Sequence, residues 1–401
     1  MPDQIADVCI AGAGPAGMTL ALLLLRSGLR VAVVERSRSF DREYRGEILQ
    51  PGAMSLLDRL GVLAGARSRG CHEHSRFRVI DQGRPLLDID YRRLPGPNNC
   101  LLSIPQQHVL EEMATHCARY DGFEYHGGAK VTGLLRDGDR IAGVQTSAAA
   151  AGTIRARCVV AADGRYSKVR RLAGIAVTRL DVFDYDVLWL RLPADGVPVD
   201  DVQVFRADGA PVLIYTSVPD SIQLGWTLPH KGYHALAEQG VEHVKAEMIR
   251  ALPARFADPL RRQVTRLADL TLLDVFSGSA DSWVRDGLVL IGDSAHTHGP
   301  IGAQGINLAI QDAVALHPVL VDALRAGDLS ASSLSRFEAA RRADIRRVFK
   351  LQRIQSKAML SRSTMAAKLR PLAMRLVART PIHRAVLHQI AYGNKSIQPS
   401  G

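Results

Sequence analysis

The sequence has few cysteines, and no two of them stand at a redox or zinc-binding spacing. An odd number without a C-x-x-C pair argues against a disulfide framework and against a zinc site. The five are Cys9, Cys71, Cys100, Cys117 and Cys158. Long apolar runs are also missing, since residues 20–25 fall far short of the ~20 residues that cross a bilayer. No basic-then-apolar leader precedes the first predicted strand. We therefore expect a cytoplasmic protein without a metal ion.

Acidic residues are absent from the end of the chain. Residues 345–401 contain twelve Lys or Arg and no Asp or Glu, whereas residues 1–344 contain 39 basic and 40 acidic residues. The net charge of +11 therefore belongs to a cationic C-terminal region on a nearly neutral body. A charge excess confined to one end does not indicate a nucleic-acid surface, and we expect no nucleic-acid partner. The region could lie on an anionic membrane, but we favour amphipathic helices that pack on the body with solvated arginines.

The chain does contain enough apolar residues for two or three packed units. Of its 401 residues 47% are hydrophobic, and its length exceeds the ~100–200 residues of one domain. The start predicts a βαβ unit, with a strand over 5–11, a helix over 15–27 and an apolar strand over 30–35. After residue 173, short β-rich segments predict an antiparallel sheet. From residue 304 the pattern is mostly helical.

A glycine-rich turn, Gly12-Ala13-Gly14-Pro15-Ala16-Gly17, joins the first strand to the first helix. In such a turn the glycines permit a tight bend, close approach of a pyrophosphate and close helix packing, while the helix N-terminus supplies free N–H groups. Glu35 ends the next strand, where an acid holds ribose hydroxyls. The alternative is a glycine turn without a ligand. Together these features favour binding of FAD or NAD, and the acid disfavours NADPH at this turn.

Two further motifs follow buried strands. The segment 158–170 ends a strand at Asp163-Gly164, which could be an ordinary strand-to-helix turn capped by Asp163. The segment 292–296 delivers Asp293 at the end of a strand, and the loop from Pro300 to Asn307 then enters a helix. Such a loop can present backbone N–H groups to an anionic or carbonyl ligand.

In this order and spacing the three motifs resemble those of single-component flavoprotein monooxygenases of the p-hydroxybenzoate hydroxylase type, which include ubiquinone-biosynthesis hydroxylases. The resemblance covers residues 5–60, 100–175 and 285–320. It implies one non-covalent FAD and NADH or NADPH as a transient co-substrate. The cofactor contacts that it implies are Gly12, Gly14, Pro15, Ala16, Gly17, Glu35, Arg36, Arg45, Gln106, Val131, Asp163, Asp293, Pro300, Gly302, Gly305, Ile306 and Asn307.

The resemblance and the element pattern together predict a mixed α/β fold. A Rossmann-like FAD-binding domain would comprise residues 1–175 and 285–330. An inserted antiparallel β-sheet substrate domain would comprise residues 176–284 with part of 70–105, and residues 331–401 would form a basic helical C-terminal region.

The implied activity is hydroxylation or epoxidation of an electron-rich aromatic or quinone-like small molecule with O₂, through a flavin C4a-hydroperoxide. The glycine motifs leave open an FAD-dependent reductase or oxidase of a lipophilic substrate, and a non-catalytic flavin-binding protein. A flavin halogenase is disfavoured, because residues 224–229 keep only Trp226 and Pro229 of that group's W-x-W-x-I-P segment.

Residues on the substrate side are harder to identify. Strand alternation places Leu213, Tyr215 and Ser217 on one sheet face. If that face covers the flavin, Tyr215 could hydrogen-bond a phenol, although a packed tyrosine with a satisfied hydroxyl is the commoner case. Pro300 is the other candidate catalytic residue, beside the flavin.

The remaining conspicuous side chains are expected to be structural. Trp226 is expected in the core. His296 and His298 are expected to be structural or solvated, and His72 and His74 to lie on the surface.

Overall fold

The computed structural model describes residues 5–41, 47–81, 83–147, 152–180, 183–197, 199–206, 211–360 and 380–399. Among these residues no helix is both long enough and apolar enough to cross a membrane. All five cysteines are free thiols.

Helices form where the sequence predicts them, over residues 15–27 and after residue 304, and further helices lie between these regions. Their bounds are α1 Pro15–Arg26, α2 Pro51–Arg59, α3 Leu63–Ser68, α4 Gln106–Cys117, α5 Lys168–Leu172, α6 Tyr233–Ala237, α7 Val241–Arg250, α8 Ala257–Gln263, α9 Gly305–Ala326, α10 Ala331–Leu360 and α11 Pro381–Tyr392.

The strands alternate with these helices in the first half of the chain and follow one another in the middle. Their bounds are β1 Ala6–Ala11, β2 Val31–Glu35, β3 Ile48–Leu49, β4 His72–His74, β5 Arg76–Asp81, β6 Arg84–Asp90, β7 Leu101–Ser103, β8 Phe123–Gly127, β9 Val131–Asp137, β10 Arg140–Thr146, β11 Thr153–Ala161, β12 Val177–Leu180, β13 Tyr185–Pro193, β14 Val202–Arg206, β15 Pro211–Ser217, β16 Ser221–Pro229, β17 Thr271–Leu273, β18 Ser277–Ala280, β19 Val284–Arg285, β20 Leu288–Leu290 and β21 His296–Thr297.

The predicted βαβ start lies at the centre of an eight-stranded sheet. Its strand order is β19-β20-β11-β1-β2-β8, and the β9–β10 hairpin attaches to β11. The four pairs from β20 to β8 are parallel. All five residues of β2 are buried, as expected for a parallel strand covered on both faces. Helix α1 is buried from Ala16 to Leu25 and packs against α9 and α4.

A seven-stranded sheet, here called the substrate sheet, forms a second layer in the order β17-β13-β16-β15-β14-β5-β6. Most of its pairs are antiparallel, as the sequence predicts. The pair of β14 with β5 is parallel, and β5 and β6 join this sheet from an earlier part of the chain. Two three-stranded sheets, β12-β18-β21 and β3-β7-β4, complete the structure.

Candidate active site

Four adjacent parallel strands, β20, β11, β1 and β2, end at one edge of the large sheet. The residues that follow them include Asp293, Asp163 and Gly12, while Glu35 is the last residue of β2. Ligands of open parallel sheets bind outside the carboxyl ends of the strands. Motifs that are up to 281 residues apart in the sequence therefore meet where a dinucleotide would bind.

The glycine turn has the shape that a pyrophosphate requires. Gly12 has a φ of +106°, and a Cβ there would lie 2.4 Å from the carbonyl oxygen of Ala162. A Cβ on Gly17 would lie 2.0 Å from the carbonyl oxygen of Gly12. Helix α1 begins after Gly14 with no side-chain cap and no acidic residue in its first turn. Its N-terminal amides and partial positive charge are thus suited to an anion.

Glu35 is bound to this same turn. Its Oε2 accepts a hydrogen bond from the backbone N–H of Ala13 at 2.8 Å, and its Oε1 accepts one from Ser37 N at 3.0 Å. The acid predicted to hold a ribose therefore also braces the glycine turn. Arg36 is exposed directly after it, and Arg45 lies outside the described residues.

Asp163 caps the short helix α5. Its carboxylate accepts hydrogen bonds from Ser167 Oγ at 2.5 Å, Lys168 N at 2.7 Å and Val169 N at 3.0 Å. The turn-cap interpretation, which the sequence left open, is therefore correct for this side chain. Its predicted contact with FAD stays a prediction.

Two arginines join the Asp163 motif to the Asp293 motif. Arg165 Nη2 lies 3.6 Å from Asp293 Oδ2, and Arg170 Nη1 donates to the carbonyl oxygen of Ser294 at 2.7 Å. The Asp293 side chain is 29% exposed, so its carboxylate is held by an arginine while part of it faces the strand-end edge.

The loop that precedes α9, here called the glycine loop (residues 300–304), is fixed by neighbours from two other parts of the chain. Gly302 and Ala303 have positive φ values of +78° and +50°. The carbonyl oxygen of Gly302 accepts from Gln50 Nε2 at 2.9 Å, and that of Ile301 accepts from Gln352 Nε2 at 2.8 Å. Pro300 begins the loop, and its carbonyl oxygen accepts from Ala303 N at 3.0 Å.

Helix α9 starts directly after the glycine loop. It runs for 22 residues from Gly305 and has neither a side-chain cap nor an acidic residue in its first turn. The Asn307 side chain accepts from Gln50 N at 3.1 Å and donates to the carbonyl oxygen of Ala303. This leaves the backbone amides of the first turn, including that of Ile306, as the positive end of a long helix dipole.

A buried polar network that the sequence did not predict supports the glycine loop. His298 bonds His296 at 2.8 Å, His296 bonds Asp312 at 2.6 Å, and Arg341 donates to Asp312 at 2.8 Å. Burial raises the pKa of Asp312, but His296 and Arg341 outweigh burial and hold it below its usual value. Burial, with His296 beside it, holds the pKa of His298 well below its usual value. The expectation of structural histidines is confirmed, and both are buried.

One face of the substrate sheet packs towards the glycine loop. Tyr215, Leu213 and Trp189 share a hydrophobic cluster with Ile301 and Ala303 of that loop. Tyr215 is fully buried, and its hydroxyl oxygen accepts from Glu47 N at 3.4 Å. Trp226 belongs to the hydrophobic cluster on the other face of the substrate sheet. The expectation that Trp226 lies in the core is therefore confirmed.

The expectation that His72 and His74 lie on the surface is wrong for His74, which is in β4 of the three-stranded sheet β3-β7-β4. His74 is fully buried. Its Nε2 bonds the carbonyl oxygen of Thr216 at 3.1 Å, and its ring meets that of Tyr215 edge-on. His72 is half-buried. Burial, with His72 beside it, lowers the pKa of His74 to about 4. The strand β4 is short and polar, which is why its sequence suggested exposure.

The two remaining cofactor candidates lie at element starts. Gln106 begins α4, and its backbone N–H donates to the carboxylate of Glu47. Val131 begins β9 and packs against the large hydrophobic core. Their predicted contacts with FAD stay predictions. Taken together, the glycine turn, the strand-end carboxylates and the two uncapped helix N-termini fit an FAD molecule.

Comparisons with known proteins agree with this geometry. The chain is 58% identical over 393 residues to a 6-methylpretetramide 4-monooxygenase of Streptomyces rimosus, covering 98% of this chain and 93% of that protein. It is 30% identical to the ubiquinone hydroxylase UbiL of Rhodospirillum rubrum, covering 85% of this chain and 79% of that protein. The crystal structure of p-nitrophenol 4-monooxygenase PnpA from Pseudomonas putida shares the fold, with a TM-score of 0.82, 19% identity and coverage of 98% and 99%.

The family described as "FAD binding domain" matches residues 5–352 of the chain. The resemblance, the mixed α/β fold and the FAD cofactor predicted from the sequence are confirmed. The chain belongs to this FAD-binding family and is an NAD(P)H-dependent flavoprotein monooxygenase.

Proposed function

We propose that this chain hydroxylates a flat, fused-ring phenol of the 6-methylpretetramide type, at the position that its relative's name gives as C4. The single observation that carries the proposal is the 58% identity that extends over 98% of the chain. A match of that length covers the substrate sheet as well as the cofactor motifs.

The substrate sheet has an apolar face on the side of the glycine loop, and we propose that such a molecule binds against it. Trp189 and Leu213 both stand opposite Gly225 in the strand register. A Cβ on Gly225 would lie 2.8 Å from the Trp189 ring, so the indole lies over the glycine. Trp189 and Leu213 belong to the apolar cluster that includes residues of the glycine loop, and in the proposed function an aromatic ring system stacks on this apolar area.

A polar row borders this apolar area. Arg191 and Tyr215 both stand opposite Gln223 in the register. With the Gln223 amide oxygen turned towards Arg191, that oxygen accepts from Nε at 2.8 Å and Nη2 at 3.0 Å. Hydroxyl and carbonyl groups on one edge of a fused-ring phenol would find both donors and acceptors there.

In the proposed site the glycine turn and Glu35 hold the adenosine diphosphate part of FAD, and Asp293 holds the ribityl chain. The N-terminus of α9, with Ile306 and Asn307, stabilises negative charge at the pyrimidine edge of the flavin. Bound FAD, reduced by NAD(P)H, supplies an activated oxygen atom from O₂. The protein orients the ring system over the glycine loop and excludes water from that space.

The proposal also includes a cytoplasmic location and the absence of a nucleic-acid partner. Peripheral membrane contact through the basic C-terminal helices is not favoured. The described part of α10 supports this, because its apolar residues Ile345, Val348 and Phe349 are buried against the body.

The test is to incubate the FAD-loaded enzyme with 6-methylpretetramide, ¹⁸O₂ and either NADH or NADPH, followed by mass spectrometry and NMR of the product. The expected product contains one ¹⁸O atom, located at C4. Slow oxidation of NAD(P)H without substrate and clear stimulation with it are also expected. A product that forms without O₂ and gains two hydrogens would favour the reductase instead. No reaction with 6-methylpretetramide would refute the proposed substrate.

A further inference from the structure

Glu47 is a buried carboxylate between the substrate sheet and the glycine loop. It is 8% exposed and immediately precedes β3. Three residues later, Gln50 hydrogen-bonds both Gly302 and Asn307. On its other side the backbone N–H of Glu47 donates to the hydroxyl of Tyr215. The position of Glu47 is therefore fixed by the flavin side and the substrate side at once.

The carboxylate of Glu47 is only partly satisfied. The backbone N–H of Gln106 donates to it, and Arg191 Nη2 lies 3.6 Å from its Oε2. Within the described part of the chain, Oε2 has no hydrogen-bond partner. A buried acceptor without a donor is costly, by about 1–3 kcal/mol, and a ligand that donates a hydrogen bond to Oε2 would remove this cost.

Glu47 thus contacts both outer members of the polar row, Arg191 through Oε2 and Tyr215 through its backbone N–H, and the fused-ring phenol is proposed to stack beside this row. On the basis of the proposed function, we infer that Glu47 is a catalytic base that takes the phenolic proton of the bound substrate. The substrate O–H would donate to Oε2, and Arg191 would stabilise the negative charge that forms on the substrate oxygen.

The proton transfer balances without a further reactant. The substrate O–H bond breaks, a new O–H bond forms on Oε2, and the electron pair stays on the substrate oxygen as a phenolate. The ring carbons ortho and para to that oxygen become more nucleophilic. The hydroxylated carbon loses two electrons to O₂, NAD(P)H supplies two more, and the second oxygen atom leaves as water. The ring proton is lost as aromaticity returns.

The electrostatic surroundings are suited to a base. Burial raises the pKa of the Glu47 carboxyl, while Arg191 and the backbone N–H of Gln106 lower it in part. A catalytic base works best when its pKa lies near the working pH. The charged and titratable described groups that face Glu47 are Arg191 of β13 and Tyr215 of β15.

The experiment compares the parent with Glu47→Gln, Glu47→Asp and a control, Glu73→Gln. Glu73 is an exposed carboxylate on β4 that pairs with Arg67. The first measurement is the Kd of 6-methylpretetramide for the oxidised FAD-loaded enzyme without NAD(P)H, followed by flavin fluorescence between about pH 5 and pH 8. The second is the hydroxylation rate over the same range.

In the parent and in Glu73→Gln, the Kd should rise as the pH falls through the Glu47 pKa, because only the carboxylate accepts the phenolic proton. Glu47→Gln should lack this pH dependence. Its hydroxylation rate should fall about 100-fold at pH 7, the usual contribution of a positioned base, and recover as the pH approaches the phenol's own pKa. Glu47→Asp should keep the pH dependence of Kd and part of the rate.

Three outcomes would overturn the inference. Parent-like rates in Glu47→Gln would do so. So would an unchanged pH dependence of Kd in that variant, or a rate loss that is equal at every pH, since those indicate a structural role. If the parent hydroxylates 6-methylpretetramide in any of these cases, the proposed function stands and only the role of Glu47 fails. If the parent does not bind 6-methylpretetramide, the proposed function fails and the role of Glu47 falls with it.

Discussion

Arg165 and Asp293 form an ion pair between the two motifs that follow the neighbouring strands β11 and β20. Arg165 Nη2 lies 3.6 Å from Asp293 Oδ2, and Arg165 Nη1 donates to the carbonyl oxygen of Asp274 at 3.0 Å. Asp274 directly follows β17 of the substrate sheet. The arginine therefore holds the carboxylate proposed for the ribityl chain in a fixed relation to the substrate side.

Replacing Asp293 with alanine should weaken FAD binding. The change removes a charged acceptor for ribityl hydroxyls, and a hydrogen bond to a charged group contributes about 1.5–3 kcal/mol, or roughly a ten- to hundredfold change in Kd. Titration of the apoprotein with FAD, followed by flavin fluorescence, measures the effect. Asp258→Ala is the matched control, because Asp258 is 77% exposed and pairs with Arg261 of its own helix. Equal FAD affinity in the parent and Asp293→Ala would contradict the assignment.

Replacing Gly17 with alanine should also reduce FAD binding, through shape instead of charge. The new Cβ would lie 2.0 Å from the carbonyl oxygen of Gly12, so helix α1 must move away from the turn that holds the pyrophosphate. We expect purified Gly17→Ala to contain less FAD per chain than the parent, as measured by absorbance after release into a filtrate. Gly152→Ala is the control, since a Cβ there meets no atom of the described residues within 4 Å. Parent FAD content in Gly17→Ala would show that the turn tolerates a side chain.

The cofactor side could be predicted from the sequence because its signals are local. A glycine turn between a strand and a helix, and an acid at a strand end, are each contained in a few consecutive residues. Parallel strands then bring Glu35, Asp163 and Asp293 to one edge without any further information. The antiparallel β segments were likewise visible from alternation and turn residues.

The substrate side could not be predicted in this way, because it depends on strand register and on contacts across the chain. Arg191, Gln223 and Tyr215 form a row only through the pairing of β13, β16 and β15. Glu47 joins them from a segment more than 140 residues earlier. The burial of His74 depends on the three-stranded sheet β3-β7-β4 lying against β15, and nothing in the sequence of β4 indicates this packing.

Replacing Gln352 with methionine should loosen the glycine loop without removing FAD. The Gln352 side chain donates to the carbonyl oxygens of Gly299 and Ile301, and two such bonds together contribute about 1–3 kcal/mol. A loop that moves more readily should admit water to the flavin, so a larger share of the consumed NAD(P)H should yield hydrogen peroxide. Peroxide is measured against NAD(P)H during turnover with substrate. Gln239→Met serves as the control, because Gln239 is exposed. A peroxide share in Gln352→Met equal to that of the parent would refute a role for Gln352 in the loop.

Stability should fall in mild acid because of His74. Burial lowers the pKa of His74 to about 4, from an ordinary value of 6.5, so the unfolded chain binds this proton between those pH values while the folded protein does not. The free energy of unfolding therefore rises with pH across this window. The contribution of His74 to it is lost as the pH falls through the same window. The contribution of His74 is roughly 3 kcal/mol over the full window.

His74→Gln tests this, because glutamine does not titrate and still offers an N–H donor to Thr216. Urea unfolding of the parent and the variant at a series of pH values should give a shallower pH dependence in the variant. The comparison uses slopes, since a packing defect would lower stability equally at every pH. His298 titrates in both proteins and cancels from the difference. Equal slopes would mean that His74 can take up its proton while folded, and the low pKa inferred from its burial would be wrong.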